Sequence, residues 1–264
     1  MKLVLGSDFS LKFILEKKED YVDIDVRIVE DVIRSCGRRM SYIFCDIENM
    51  DSVEDLAKYI PVGDIPFVKK WLKITHGIET INPIEIPKEL RKKEFLKRSY
   101  RVVPYAEIPR NGRYFIKDVS DLKQFSYEGD LANFDFSSID NSHLYQVSEL
   151  FNIAAEYRIY VIDGNVDAIC QYNGNGLAVC DPRYLMDRGL ILKAKMLYTM
   201  QEDYPNSYTM DIMVGKEGTC ICEIHPFVSV GLYSSIWGTN LLYAYKDGIN
   251  YILNHNTAIE PFEV

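Results

Sequence analysis

Two acids in the last quarter of this 264-residue chain are spaced to act together. Asp211 lies in Tyr208-Thr-Met-Asp-Ile-Met-Val214, and Glu223 in Thr219-Cys-Ile-Cys-Glu-Ile-His225. Both segments mostly alternate apolar and polar residues, the period of a half-buried strand. Gly215-Lys-Glu-Gly218 separates them, so they read as a hairpin. Placing Met210, Ile212 and Val214 on the core face with Cys220, Cys222 and Ile224 sets the register. Asp211 then faces Glu223, Ile212 faces Cys222 and Val214 faces Cys220. Met213 faces Ile221, the two apolar exceptions on the polar face, and His225 follows Glu223 on that face. A slip of one residue would put one strand's polar set on the wrong side. Facing carboxylates repel unless something positive sits between them. The functional reading is a divalent cation, magnesium first, held by Asp211 and Glu223. The plain alternative is a solvated strand face with scattered acids.

Three cations precede the hairpin. Lys117 stands near the end of an otherwise apolar strand, Tyr-Phe-Ile-Lys-Asp-Val, and Lys123 follows before a polar stretch. Arg158 lies in Glu-Tyr-Arg-Ile-Tyr-Val-Ile, on the strand face that carries Glu156. A charge in such a strand needs a partner. An ion pair such as Glu156 with Arg158 would supply one. Phosphate oxygens would supply another, since Lys and Arg both bind them.

The elements that must position these residues follow from periodicity and punctuation. Residues 2–6 and 41–46 read as strands, and 26–36, 52–60 and 65–76 as helices, the last stopped by Gly77. Ser52 with Asp55 resembles a capping box. Residues 78–87, with two prolines, read as an extended linker, and 88–97 as a short helix. The main boundary falls near residue 97. Strands are expected at 99–104, 113–119, 144–148, 156–162 and 166–172, the last two flanking an Asp163-Gly164 turn. Residues 125–141 read as a mobile loop, Asn173-Gly-Asn-Gly176 as a turn, and 190–201 and 239–253 as helices. The fold class is α/β in the broad sense, α+β more narrowly.

Composition narrows the function. The chain is 47% hydrophobic and 26% charged, with net charge −9. That acidity argues against nucleic acid and anionic membrane as partners, because both need basic surface. The basic run from Lys88 to Arg101 reads as a solvated face. No apolar run reaches the roughly 20 residues needed to span a bilayer. The first residues lack a signal-peptide core, so a cytoplasmic protein is expected. The six cysteines match no zinc spacing and read as free, mostly buried thiols. A homo-oligomer stays open. No phosphate-binding Gly-x-x-x-x-Gly-Lys-Ser/Thr or Gly-x-Gly-x-x-Gly motif occurs.

The order of these features resembles the ATP-grasp superfamily. It is especially similar to the small ligase-like clade related to the ribosomal-protein glutamate ligase (RimK-like), frequent in phages and bacteria. The matching motifs are Tyr-Ile-Pro-Val-Gly-Asp-Ile-Pro-Phe-Val (59–68), Phe-Ile-Lys (115–117), Leu-Lys-Gln-Phe (122–125), Val-Ser-Glu (147–149), Glu-Tyr-Arg-Ile-Tyr-Val (156–161) and Cys-Glu-Ile-His-Pro-Phe (222–227), with Gly231-Leu-Tyr233 following. The resemblance covers about residues 58 to 251. It implies an N-terminal α/β pre-ATP-grasp domain (1–97) and an ATP-grasp domain (98–264). ATP is then held between a lid subdomain (98–150) and a catalytic subdomain (151–264).

The resemblance also implies roles. Lys117 reaches the α- or β-phosphate and Lys123 a second phosphate or hydroxyl. Arg98, with Arg101 as competitor, is the arginine ahead of the lysines. Val147 to Glu149 form the hinge beside adenine, and Arg158 faces the γ-phosphate or an acyl phosphate. Asp211 and Glu223 hold Mg²⁺, with His225 where the family usually carries Asn. Imidazole is a softer ligand that suits Mn²⁺ better. The implied activity is an ADP-producing carboxylate–amine ligation through an acyl phosphate, with a peptide or protein end among the acceptors. A small-molecule kinase and a non-catalytic nucleotide-binding module are the alternatives.

Overall fold

The computed structural model describes residues 11–37, 40–174, 186–200, 204–233, 236, 238–255 and 260–264. The strand expected at 2–6 lies outside them, as does Cys180.

The run Leu-Lys-Phe-Ile-Leu-Glu forms β1 (Leu11–Glu16), the centre of a parallel sheet ordered β2-β1-β3. Its neighbours are β2 (Met40–Cys45) and β3 (Ile60–Val62). Both faces of such a sheet are covered, which is why β1 is nearly all buried. Helix α1 (Ile24–Ser35) begins at Asp23, whose side chain accepts from the Asp25 N–H. Helix α2 (Ile65–His76) is capped by Asp64, carries Pro in its first turn, and stops at Gly77, where φ is +68°. The helix expected at 52–60 does not form. Asp46 caps a 3-10 helix one turn earlier (Ile47–Ser52), Asp55 is left-handed, and the Leu56 carbonyl accepts from the Trp71 indole.

The segment 88–97 breaks into a 3-10 turn (Lys88–Leu90) and one helical turn, α3 (Lys93–Leu96). Between them Arg91 is no solvated charge: it pairs with Glu85 and stacks 3.6 Å from the Phe262 ring centroid. Beyond it come β4 (Tyr100–Pro104), β5 (Arg113–Asp118), β6 (Ser126–Asp130) and β7 (Leu144–Glu149). They form a five-stranded sheet ordered β12-β4-β7-β5-β6, with β12 (Phe262–Glu263) on its edge. The stretch read as a loop thus contains β6 and two Asp-capped 3-10 turns. Its aromatics hold it down, with Tyr127 and Phe134 at a centroid distance of 4.6 Å.

A four-stranded antiparallel sheet, ordered β11-β10-β8-β9, completes the fold. Its strands are β8 (Ile153–Ile162), β9 (Asn165–Gly174), β10 (Tyr208–Gly215) and β11 (Gly218–Pro226). Ile159, Val161, Met210, Ile212 and Ile224 on one face join a core with α4 (Arg188–Thr199). On the other face Tyr160 and Phe227 pack in a core shared with β1, α1 and α5 (Thr239–His255). Gly248 explains the glycine inside α5. A Cβ there would lie 2.3 Å from the Phe227 carbonyl oxygen, so only Gly lets the helix cross the end of β11.

The hairpin register holds only in part. Met210 pairs Ile224 and Asp211 pairs Glu223, as the alternation requires. A bulge then shifts the ladder, so Ile212 faces Ile221 and Met213 faces Cys220. Cys222 is the extra residue. The bulge returns Ile221 to the core. Cys222, placed on the core face by simple alternation, instead lines the cavity described next.

Candidate active site

The five-stranded and four-stranded sheets face each other across a cavity of about 590 Å³. That is within the range of small-ligand sites. Alternation sends Phe115 and Lys117 from β5, and Gln146 and Ser148 from β7, into it from one side. Met213, Cys222 and Glu223 line it from the other. Lys123 lines the cavity too; its residue is left-handed, and its ammonium donates to the Ser229 carbonyl at 2.8 Å. The turn carrying it is anchored by buried Asp121, which pairs with Lys69 and accepts from the Ile81 N–H.

Two ion pairs organise the charge. Lys117 reaches across the cleft to one oxygen of Glu223, and His225 Nε2 contacts the other at 2.7 Å. Burial opposes ionisation of Glu223, but the charges of His225 and Lys117 prevail and hold its carboxyl well below the usual range. Burial likewise opposes the Lys117 charge, and Glu223 outweighs it, raising the ammonium above its ordinary value. In the second pair, Arg158 grips Asp211 with two bonds, Nε to Oδ1 at 2.8 Å and a terminal nitrogen to Oδ2 at 2.7 Å. These residues are cross-strand neighbours on β8 and β10. The Glu156–Arg158 pair that sequence spacing allows is absent; Glu156 accepts from Asn173 instead. Lys123 shows the opposite tendency to Lys117: burial, then the like charge of Arg158, lower it.

Arg98, Lys117, Lys123, Glu149 and Glu223 all line the one cavity. Arg98 is fixed by the Leu96 and Ile221 carbonyls at 3.1 and 3.2 Å. Its competitor Arg101 lies in the β4 ladder and does not line the cavity. Glu149 accepts from the Ser99 N–H at 3.0 Å. Val147 is inside the ladder, paired to Arg101 and Ile116. Its side chain packs with Tyr145 in the core behind the sheet. The chain leaves the ladder after Glu149 and enters β8 at Ile153.

Among the described residues no three His, Cys, Asp or Glu side chains are grouped as metal ligands, so the expected set Asp211, Glu223 and His225 is not assembled as such. His225 spends its Nε2 on Glu223. Two facing carboxylates remain. Magnesium takes one or two carboxylates together with substrate phosphates; here Arg158 holds both Asp211 oxygens, and Asp211 does not line the cavity.

Sequence reasoning gave no role to two aromatic residues, Tyr172 and the Tyr233 of the Gly231-Leu-Tyr233 motif. Tyr172 and Tyr233 stack at 5.2 Å between centroids, and each ring centroid lies 5.4 Å from the Arg158 guanidinium. Tyr172 also reaches Asp211 Oδ2 at 3.4 Å. Tyr172 alternates with Cys170 on a predicted strand, but nothing local indicates what it faces.

The family model described as ATP-grasp domain, R2K clade family 2, matches residues 95–237, more than half of the chain, and the chain belongs to that family. The ATP-grasp ligase PsnB in complex with a minimal precursor is similar in fold, with TM-score 0.50 and 12% identity, over 91% of this chain and 99% of that one. D-alanine–D-alanine ligase from Bacillus anthracis complexed with ATP gives TM-score 0.49 and 12% identity over 93% and 96%. A RimK domain ATP-grasp protein from Sphaerobacter thermophilus gives 0.49 and 10% over 94% and 99%. No curated protein matches the chain. The superfamily and the α+β ATP-grasp fold expected from the ordered motifs are therefore correct. Among the described residues no helix is long and apolar enough to cross a membrane.

Proposed function

We propose that the protein is an ATP-dependent carboxylate–amine ligase. The observation that carries this is the convergence of Arg98, Lys117 and Lys123 with Glu223 on one cleft between two sheets, in a chain of the ATP-grasp superfamily. ATP is the nucleotide substrate. Lys117 and Lys123 hold its phosphates, and Arg158 is the cation for the γ-phosphate and then the acyl phosphate. Met213 and Ile153 give the cleft apolar wall for the base. Asp211 and Glu223 would hold magnesium, which would supply neutralisation of phosphate charge.

A carboxylate oxygen attacks the γ-phosphorus, the β–γ bridging bond breaks, and ADP leaves. The amine nitrogen then attacks the acyl carbon, the carbon–oxygen bond to phosphate breaks, and the amine loses a proton. The first step brings two anions together, and fixed cations are what lowers its barrier. No nucleophilic side chain is needed. A peptide or protein end is the proposed acceptor class.

The test is ADP release from Mg·ATP with a panel of carboxylates, including short peptides, and amines. Release that needs both a carboxylate and an amine is expected. Release with a carboxylate alone and a stable phosphorylated product would mean a kinase. Nucleotide binding without ADP from any pair counts against catalysis.

A further inference from the structure

We infer that Asp25 is a positioning residue for Arg158, acting through the Gly231–Leu232 peptide. Asp25 lies in the first turn of α1, far in sequence from the cleft. Its Oδ1 accepts from the Leu232 N–H at 2.9 Å. The carbonyl of the same peptide group, that of Gly231, accepts from Arg158 at 3.3 Å and from the Tyr160 hydroxyl at 2.7 Å. A cation on the carbonyl and an anion on the N–H polarise one peptide in the same sense, so each bond strengthens the other. The segment needs such a clamp. Ser229 and Tyr233 both hold φ at +47°, a conformation that non-glycine side chains disfavour. The Ser229 carbonyl also takes the Lys123 ammonium, so one short loop steadies two cations of the cleft. Through Asp25, α1 and the parallel sheet behind it set where those cations stand.

The role of Arg158 as phosphate cation rests on the proposed function; its link to Asp25 does not. Asp25→Asn keeps an acceptor oxygen for Leu232, whereas Asp25→Ala removes it. With the Arg158 Nε–H held by Asp211 as the unchanged reference, the nuclear magnetic resonance signal of the Arg158 terminal N–H that donates to Gly231, read without nucleotide, should be protected from exchange in wild type and Asp25→Asn and lost in Asp25→Ala. The Leu232 amide should follow it. With Mg·ATP, the ratio of ATP to ADP affinity by calorimetry should fall in Asp25→Ala as far as in Arg158→Ala, and no further in the double variant. Asp25→Asn should stay within roughly fivefold of wild type, because a neutral acceptor replaces a charged one. Melting temperatures of all variants guard against global unfolding. An Arg158 signal unchanged in a folded Asp25→Ala overturns the inference. Loss in Asp25→Asn equal to that in Asp25→Ala overturns it too, since the charge and not the hydrogen bond would then act. If wild type binds no ATP, the ligase reading falls, and the nucleotide-free signal still decides the role of Asp25.

Discussion

Asp211 and Glu223 face each other in register, yet they are held in opposite ways. Asp211 stands on a central strand, and Arg158 grips it from the next strand of the same sheet. Glu223 stands on the edge strand, more exposed, and Lys117 reaches it from the other sheet across the cleft. The first pair is set by strand register within a single sheet. The second exists only while the two sheets face each other. A buried intra-sheet pair anchors the fold, and a cross-cleft pair is the one that a polyphosphate can exchange.

The comparison can be broken from each side. Asp211→Ala leaves Arg158 buried without its partner, and chemical unfolding should show a loss of about 3–5 kcal/mol. Lys117→Ala should cost only about 1 kcal/mol, since Glu223 keeps His225. In ADP release the same variant should fall by about 100-fold or more, because a cation aimed at the phosphates is gone. If both variants destabilise equally, the contrast between the pairs is wrong. Acid should act on the cross-cleft pair as well. The folded Glu223 carboxyl lies below its ordinary value of 4.5, so between the two values the unfolded chain binds more protons. Its contribution is therefore complete above 4.5 and lost as pH falls through the depressed value. Melting curves of wild type against Glu223→Gln should converge on acidification, and parallel curves would contradict the assignment. His225→Asn should have the smallest effect, under about 1 kcal/mol, with magnesium-dependent activity kept or improved. Complete loss would assign the imbalance to the imidazole itself.

How far the sequence reaches follows the same division. Alternation and turn residues are local signals, and they give the Asp211–Glu223 pairing, the Asp163-Gly164 turn and the Gly77 stop of α2. Alternation marks Met213 and Ile221 as apolar exceptions on the polar face, but the regular register read from it contains no bulge. It does not say that Cys222 is the residue squeezed out, since that depends on packing beneath Ile221. Val147 shows a different limit. The resemblance implies that its motif lies beside adenine, but whether a residue lies in the ladder or beyond it depends on how far β4 and β5 extend beside it. Lys117 with Glu223, Arg158 beside two stacked tyrosines, and Asp25 on Leu232 join segments far apart in the chain. Side-chain type suggests that such charges need partners, and only the fold says which.

The central claim is that these charges form a magnesium–ATP site. The most direct test is the thermal-unfolding shift of wild type and Lys117→Ala with ATP, with and without magnesium. At about 100 times the dissociation constant, bound nucleotide should add roughly 2.7 kcal/mol to wild type. The shift should need magnesium and should shrink in the variant. No shift at millimolar ATP, or equal shifts in both proteins, would contradict it.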